Sequence, residues 1–585
     1  MHRRPRVSDN LKSVMNTRKP LACVMLLAFA AFVAPARAQT TREQSATASQ
    51  GMVATGHPLA TDAAVRTMRD GGNAVDAAVA AALTLGVVDG HNSGIGGGCF
   101  MLIRAADGTI LALDGRETAP AAATRDMFIR NGKSDTSLSQ TGALASGVPG
   151  SLLVYEQALE RYGKKKPPDL LEPAAKLADA GFPINRSYAR KIREVAKEID
   201  SLPATKSLLK KPDGSPLDQG DVLRQPDLAK TYRAIARDGT NWFYKGEFAR
   251  AVADWMKANG GILTADDFAR YEVKQREPLV TTYRGFKVVG FPPPSSGGVH
   301  VAQILGMLER FDLAAMEKDD PASRLHVIAE AMKLAFADRA HWLGDPDFAP
   351  VPRGLIDPEY IKQLSAKIDL KRVTSVEAQG QPPRALDDTF GKKHTTHIAA
   401  ADAAGNWVAI TTTVNTAFGS KVIVPGTGVI LNNQMDDFSI EPGVPNHFKL
   451  IGAEANAVGP LKRPLSSMSP TIVLNAEDRP ILTVGAAGGP TIITQVVLAI
   501  SNHVDLSDDL SAALKRPRIH HQWRPDELRV EKTFDPGVIK GLEERGHPVK
   551  PINPSGATNA VAQPEAGDGL IGASEPRGEG KAAGY

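Results

Sequence analysis

The most constraining feature of this sequence is the change of pattern at Thr395. Residues 373–393 consist largely of Gln, Gly, Pro, Asp and Lys without hydrophobic periodicity, which is typical of an exposed loop. Beyond Thr395, short strand-like runs are separated by turn residues, and helical character returns near Thr491. The predicted strands are His397–Ala400, Trp407–Val414, Val429–Asn433, Thr471–Leu474 and Ile481–Val484.

The region before this change carries three strong helical patterns. Asn73 is a favoured N-cap residue ahead of an alanine-rich run, with Asp76 at the third helical position. Ser151 begins a second helix that Gly163 ends, and Pro321–Trp342 carries an apolar stripe at helical spacing. Helices with some strands, followed by strands with later helices, predict a layered α/β protein rather than two unrelated domains.

The first 38 residues predict an export signal. Seven basic residues and one acidic residue flank the apolar run Leu21–Val33, which the small-residue pattern Ala36-Arg37-Ala38 follows. Removing this segment changes the formal net charge from +4 to −2, which disfavours a nucleic-acid partner. The apolar run has 13 residues, fewer than the roughly 20 of a membrane-spanning helix. We therefore expect an exported, periplasmic or secreted protein without a stable membrane span, whether Met1 or Met15 is the true start.

The sequence predicts neither a disulfide framework nor a metal site. Cys99 is the one cysteine left after the signal segment. Histidines occur as isolated pairs, without carboxylates at metal-ligand spacing, at His394 and His397 and at His520 and His521. The glycine-rich run Asn92–Cys99 is no dinucleotide fingerprint, because the third required glycine falls on Cys99 and a strand-like segment follows. By itself this run indicates a tight structural turn.

His394-Thr395-Thr396-His397 joins the polar loop to the first strand of the second half. Threonine is common in strands, so this segment alone favours an ordinary strand start. If the bond before Thr395 is cut, however, its hydroxyl and a new α-amine lie on the same residue. An α-amine titrates near ~7.7–8.0 and can serve as a base at neutral pH, so one residue would supply both nucleophile and base.

Three later segments, read together with Thr395, resemble the γ-glutamyltranspeptidase family. They are Thr411–Gly419, Leu431–Ser439 and Lys462–Pro470. Earlier and later segments extend the resemblance over nearly the whole mature chain: Asn92–Cys99, Leu113–Glu117, Pro293–Gly298 and Gly572–Ser574. No single segment is decisive, but their number and order make a chance match implausible.

The resemblance implies an α/β fold of the N-terminal-nucleophile hydrolase type, an αββα sandwich of two stacked sheets between helical layers. Self-cleavage between His394 and Thr395 would leave a large subunit, 39–394, and a small catalytic subunit, 395–585. The two would form one core and stay associated, because neither can bury a shared sandwich alone. No cofactor is implied.

The resemblance also assigns roles to individual residues. Catalysis would fall to Thr395 as nucleophile, Thr413 as its hydroxyl partner, and Gly488 and Gly489 as the oxyanion hole. The substrate's α-carboxylate would be bound by Arg116, Ser466 and Ser467, and its α-ammonium by Asp437, Asn415 and Gln434. Pro442–Lys449 resembles the lid of bacterial members, with Phe448 where those often carry a tyrosine. His394 stands where members often carry glutamine.

The implied activity is that of a γ-glutamyltransferase and glutathione hydrolase. Thr395 would attack glutathione or another γ-glutamyl compound, and water or an acceptor amino acid or peptide would resolve the γ-glutamyl ester. One alternative is an acylase of the same superfamily acting on glutaryl side chains of cephalosporins. Asp437 disfavours it, because a glutaryl group has no α-ammonium. The other alternative is a secreted binding protein without catalysis, which predicts an uncut chain.

Overall fold

Two antiparallel seven-stranded sheets form the centre of the computed structural model, which describes residues 44–383, 390, 398–564 and 569–585. The first sheet has the order Ser45–Ala48, Leu570–Ser574, Asn559–Ala562, Pro480–Gly485, Thr471–Leu474, Phe286–Gly290 and Leu279–Tyr283. The second has the order Lys581–Gly584, Gly51–Thr55, Ala399–Asp402, Trp407–Thr413, Gly98–Arg104, Ile110–Gly115 and Lys274–Arg276. The smaller sheets comprise Ile519–His520, Leu528–Glu531 and Val549–Ile552; Ile129–Arg130 and Lys133–Ser134; and Phe182–Pro183 and Val222–Leu223.

Each large sheet has helices packed on its outer face. The helices on the side of the second sheet are Pro58–Arg69, Ala74–Val88, Ser137–Gln140, Ser151–Tyr162, Pro167–Ala180, Arg186–Glu194, Pro203–Leu209, Pro226–Asp238, Thr240–Tyr244, Glu247–Ala258 and Ala265–Ala269. The helices on the side of the first sheet are Gly297–Leu308, Leu313–Asp319, Pro321–Trp342, Pro358–Ser365, Thr491–Val504, Leu510–Lys515 and Pro536–Glu544. The layers therefore follow the order helix, sheet, sheet, helix, which confirms the predicted αββα sandwich.

Strand periodicity explains why both faces of each sheet are buried. Successive side chains of a strand point to opposite faces. In the second sheet, Ala399 and Ala401 face the other sheet, whereas Ala400 faces the helices. Ala399 pairs with Ala54 on one side and with Ala409 on the other. This row of small side chains in the inter-sheet core allows the two sheets to approach closely.

The local helix predictions are confirmed. Asn73 caps Ala74–Val88 in a capping box with Asp76, and the helices Ser151–Tyr162 and Pro321–Trp342 have the predicted limits. The strand prediction for Val429–Asn433 is wrong. Its backbone groups bond to separate loops, with the Leu431 N–H donating to Val422 and the Asn432 N–H donating to Gly96, so no ladder forms.

Both large sheets contain strands from either side of the predicted cut. Gly51–Thr55 lies between Lys581–Gly584 and Ala399–Asp402, two strands that follow position 395. In the first sheet, Phe286–Gly290 pairs with Thr471–Leu474. A chain cut before Thr395 would thus still share both sheets between its two parts. Within the described residues, no helix is both long and apolar enough to span a membrane.

Candidate active site

The predicted cleavage site and nucleophile, His394 and Thr395, lie outside the described residues, as does the predicted signal segment. The described chain resumes at Ile398, whose carbonyl accepts a hydrogen bond from the Ile410 N–H at 2.7 Å. Ala399–Asp402 then pairs antiparallel with Trp407–Thr413. Thr413 therefore ends the neighbouring strand on the side from which the chain enters after position 395.

The hydroxyl of Thr413 takes part in the turn that follows its strand. Its Oγ1 accepts a hydrogen bond from the Asn415 N–H at 2.7 Å, and the Asn415 amide donates to the Asn433 carbonyl at 3.0 Å. Asn415 has a φ of 80°, a left-handed conformation that asparagine tolerates better than most residues. The neighbouring Thr412 hydroxyl contacts the Gly98 carbonyl at 3.5 Å instead. Local geometry thus distinguishes Thr413 from Thr412.

The glycine run before strand Gly98–Arg104 packs directly against this region. A β-carbon at Gly97 would lie 1.9 Å from the Thr413 carbonyl oxygen, and one at Gly96 would lie 2.0 Å from that of Ile430. Neither distance is possible for a side chain, so glycine is required by close backbone approach. This confirms the prediction of a tight structural turn.

Arg116 and Asp437 lie in direct contact. The Arg116 Nη2 donates to Asp437 Oδ2 at 2.5 Å, and both side chains are largely buried. Burial raises the pKa of Asp437 above its ordinary value, and the charge of Arg116 opposes that rise. The sequence predicts that these residues bind opposite charges of one substrate, and the structure brings them together as a buried ion pair.

Most donors of Arg116 already have protein partners. Its Nε donates to the Pro464 carbonyl at 2.9 Å, and its Nη2 also donates to the Leu465 carbonyl at 3.2 Å. Its Nη1 lies 3.5 Å from Glu117 Oε2. A bidentate contact with a substrate carboxylate would therefore require Arg116 to exchange at least one of these contacts.

Asp114 fixes the position of the Arg116 backbone. Its Oδ1 accepts from the Arg116 N–H at 2.5 Å, and its Oδ2 accepts from Arg463 Nη1 at 2.9 Å. These bonds join Leu113–Glu117 to Lys462–Pro470, two segments that the sequence singles out separately.

Ser466 and Ser467 lie in a turn held by groups that the sequence does not point to. The Ser466 carbonyl accepts from both the N–H and the hydroxyl of Ser296, each at 2.7 Å. Arg339 donates from Nε to Ser296 Oγ and from Nη2 to Ser467 Oγ, both at 3.0 Å. Arg339 is buried within the helix Pro321–Trp342. Sequence reasoning missed it because it takes that helix only as core.

Gln434 offers a buried acceptor. Its backbone N–H donates to Asn432 Oδ1 at 3.0 Å, whereas its side-chain Oε1 has no hydrogen-bond partner within the described chain. Gln434 begins the short 3₁₀ turn Gln434–Asp437 that also carries Asp437. A buried amide oxygen without a donor is unusual, and a ligand ammonium could satisfy it.

Gly488 and Gly489 lie between strand Pro480–Gly485 and helix Thr491–Val504, as the sequence predicts. Their φ angles are 132° and 60°, both in the region that favours glycine. Neither N–H donates a hydrogen bond to another described residue. Phe448 covers Gly489 so closely that a β-carbon there would lie 2.5 Å from its Cδ1.

The loop that carries Phe448 is tied to both sides of the site. The His447 N–H donates to Asp436 Oδ2 at 3.0 Å, next to Asp437 in sequence. On the other side, Gln522 Nε2 donates to the carbonyls of Phe448 and Lys449 at 3.3 and 3.2 Å. The segment that resembles a lid thus packs the ring of Phe448 against Gly489, the second glycine of the pair.

Glu117 is a buried carboxyl beside this site. Burial raises its pKa to about 8, although the charge of Arg116 opposes that rise. Its Oε1 has no hydrogen-bond partner among the described residues. Burial therefore favours the protonated form of Glu117 beside Arg116.

A cavity of about 430 Å³ is lined by Ala486 and Ala487, the two residues before the glycine pair, but not by Gly488 or Gly489. Ile398, Thr411, Ala486 and Ala487 line it near the ends of the two sheets, whereas Arg116 and Asp437 do not. No group of three or more histidine, cysteine, aspartate or glutamate side chains suited to a metal ion occurs in the described part of the chain.

The αββα layers define the class of this protein as an N-terminal-nucleophile hydrolase. The model of the γ-glutamyltranspeptidase family matches residues 60–585. The glutathione hydrolase proenzyme of Escherichia coli (strain K12) is 43% identical over 532 residues, 91% of each chain. The protein belongs to the γ-glutamyltranspeptidase family.

Two solved structures illustrate the range of relatives. The cephalosporin acylase of Bacillus halodurans matches with a TM-score of 0.82 at 27% identity, over 95% of this chain and 99% of that chain. The γ-glutamyltranspeptidase of Helicobacter pylori matches with a TM-score of 0.53 at 41% identity, over 55% of this chain and 92% of that chain. Of these two structures, the acylase has the higher TM-score and covers more of this chain, whereas the transpeptidase has the higher sequence identity.

Proposed function

We propose that this protein is an exported γ-glutamyltransferase and glutathione hydrolase that activates itself by cleavage between His394 and Thr395. The new Thr395 hydroxyl attacks the γ-glutamyl amide of glutathione or a related compound and forms an ester. Water or an acceptor amino acid or peptide resolves the ester. The large and small subunits, 39–394 and 395–585, stay associated through the two shared sheets.

The observation that carries this proposal is the buried set of opposite charges around Arg116 and Asp437. A γ-glutamyl group ends in an α-carboxylate and an α-ammonium, so it needs fixed donors and acceptors side by side. Asp437 and the unpartnered Gln434 Oε1 offer acceptors for the ammonium. The carboxylate can accept hydrogen bonds from the hydroxyls of Ser466 and Ser467 and from the guanidinium of Arg116. Such charge-assisted hydrogen bonds are stronger than those between neutral groups.

The strand register supports Thr395 as the nucleophile. Ala399 pairs with Ala409, and each step back along one strand is a step forward along its antiparallel partner. If the same pairing continued toward the new N-terminus in the cleaved enzyme, position 395 would lie opposite Thr413. The Thr413 hydroxyl would then be within reach of the nucleophile, and the N–H groups of Gly488 and Gly489 would stabilise the oxyanion.

An acylase acting on glutaryl groups is the second candidate, and the overlay with the cephalosporin acylase of Bacillus halodurans favours it. A glutaryl group carries the carboxylate but lacks the ammonium. An acylase would therefore leave Asp437 without a ligand partner, so the buried carboxylate supports the γ-glutamyl reading.

Cleavage and activity can be tested on the full-length protein. On a denaturing gel we expect two fragments, and Edman sequencing of the smaller should begin Thr395-Thr396-His397. Thr395→Ala should give one uncut, inactive chain, because one hydroxyl performs both attacks. An uncut wild-type chain would favour the binding protein, and a different first residue would refute Thr395 as nucleophile.

Matched anilides distinguish the two enzyme candidates. We expect wild-type enzyme to prefer γ-glutamyl-p-nitroanilide over glutaryl-p-nitroanilide. Asp437→Asn should reduce that preference by roughly 10- to 150-fold while leaving cleavage intact, since it weakens a single charge-assisted contact worth ~1.5–3 kcal/mol. Equal turnover of both donors by wild type would favour the acylase.

A further inference from the structure

Arg339 is a buried cation below the turn that carries Ser466 and Ser467. Its side chain is 5% exposed and donates to two hydroxyls, Ser296 Oγ and Ser467 Oγ, at 3.0 Å each. Burial lowers the pKa of Arg339 to about 10, so it remains charged at neutral pH. An arginine so placed must be compensated by negative charge, because an uncompensated buried charge is costly.

The direct side-chain partners of Arg339 within the described chain are two hydroxyl oxygens. No carboxylate there forms an ion pair with Arg339, and Asp437, which attracts it at longer range, is in contact with Arg116. Glu117, the other carboxyl beside Arg116, has its pKa raised by burial and contacts Arg116 rather than Arg339. Asp437 therefore pairs directly with Arg116, and Arg339 has no carboxylate in contact with it among the described residues.

The hydrogen bonds of Arg339 also fix the direction of the Ser467 hydroxyl. Arg339 Nη2 donates to Ser467 Oγ, so that oxygen acts as an acceptor and its own hydrogen remains available to donate. Ser296, held by Arg339 Nε, donates its hydroxyl hydrogen to the Ser466 carbonyl at 2.7 Å. One guanidinium therefore orients both the turn and its hydroxyl donor.

We propose that Arg339 is a positioning residue for the α-carboxylate of the donor substrate. It turns the Ser467 hydroxyl into a hydrogen-bond donor toward that carboxylate and supplies the positive charge that Arg116 loses to Asp437. This role rests on the proposed function, because it assumes a donor with an amino-acid end.

Three anilide donors separate this role from a structural one. γ-Glutamyl-p-nitroanilide carries both charges, glutaryl-p-nitroanilide only the carboxylate, and 4-aminobutyryl-p-nitroanilide only the ammonium. For cleaved Arg339→Gln we expect a roughly 10- to 100-fold loss of kcat/KM, mainly through KM, on the two donors with a carboxylate. The loss on 4-aminobutyryl-p-nitroanilide should stay within about 3-fold. Arg339→Lys should recover part of the loss, since it restores the charge but not both hydrogen bonds.

Arg324 is the matched control. It lies on the same helix, is equally buried, and bonds to Glu317 and Asn502 rather than to the serine turn. Arg324→Gln should affect all three donors alike if it affects any. An equal loss on all three donors for Arg339→Gln, or no loss, would overturn the positioning role.

Two further measurements keep the test decisive. If Arg339→Gln does not fold or cleave, Ser296→Ala replaces it, because it frees one side of the guanidinium and keeps the charge. A smaller loss of the same kind is then expected, greater on the two donors with a carboxylate than on 4-aminobutyryl-p-nitroanilide, and its absence refutes the proposal. Failure of wild-type enzyme to cleave itself or to use γ-glutamyl-p-nitroanilide would instead refute the proposed function, before any variant is compared.

Discussion

Gly489→Ala would put a methyl group where the ring of Phe448 now lies. The new β-carbon would be 2.5 Å from Cδ1 and 2.8 Å from Cε1 of that ring, whereas carbon atoms prefer about 3.5–4.0 Å. The ring must therefore retreat by about 1 Å. Gly489 also has a φ of 60°, and an L-residue in this left-handed region costs about 1–2 kcal/mol. Both effects disturb the N–H groups proposed to stabilise the oxyanion.

We expect Gly489→Ala to lower kcat on γ-glutamyl-p-nitroanilide by about 10- to 100-fold, less than the 10²–10³ that complete loss of an oxyanion donor costs. Activity is normalised to the cleaved fraction on a denaturing gel. Gly443→Ala is the control. Gly443 lies in the loop that carries Phe448 and has a φ of 81°, but a β-carbon added there would have no atom within 4 Å. It carries the backbone strain without the collision, and its kcat should stay within about 3-fold of wild type.

The collision itself is tested by adding Phe448→Ala. If the ring is the obstacle, the double variant should be more active than Gly489→Ala, and the cycle should show a coupling of about 1 kcal/mol or more. Strictly additive effects would refute the contact between lid and oxyanion glycine. A Gly489→Ala variant as active as Gly443→Ala would do the same.

Two more predictions concern the lid and a buried carboxyl. Phe448→Tyr adds a hydroxyl that could bond across the site, worth about 0.5–1.5 kcal/mol net, so at fixed acceptor concentration transfer product should rise relative to glutamate; an unchanged ratio would mean that Phe448 is not the latch position. Glu117 has a pKa of about 8 instead of 4.5, so it binds more protons folded than unfolded, and its contribution to stability is complete below pH 4.5 and lost as pH rises to about 8. The side chain of the Glu117→Gln variant stays neutral, so the melting temperature of the variant should fall less than that of wild type between pH 5 and 9. The corresponding difference in unfolding free energy is at most about 5 kcal/mol. Parallel melting curves across that range would show that Glu117 is ionised in the folded protein.

Local sequence signals predicted the elements whose causes are local. The Asn73 cap, the Gly163 stop and the stripe of Pro321–Trp342 each depend on residues within one or two turns, and the structure has those helices where expected. Val429–Asn433 failed because an apolar run predicts a strand only where a partner strand is available. Here its N–H groups are taken by three separate loops.

The residues of the site also divide into those that the sequence predicted and those that it could not predict. Motif resemblance identified Arg116, Asp437 and the glycine pair, and the fold brings Arg116 onto Asp437 across 321 residues of sequence. Arg339 had no such signal, since its role depends on two serines that reach it from distant turns. The one available hint was a set of charged residues around a helix whose remaining positions are apolar and small. Such charges cannot all reach solvent if the helix is buried, so each needs a partner or a ligand.

The interleaving of strands explains how such a chain could be cut before Thr395 and remain one enzyme. Gly51–Thr55 is hydrogen-bonded on one side to Lys581–Gly584 and on the other to Ala399–Asp402, so dissociation would expose two strand edges at once. It would also open the alanine row between the sheets, where Ala54 packs among residues from beyond the cut. Cleavage before Thr395 would break one covalent bond and leave these ladders intact, because the described strand begins four residues later, at Ala399. Under the proposed cleavage, folding would come first and cutting second, so the ladders that hold the two parts together would already exist when the bond breaks.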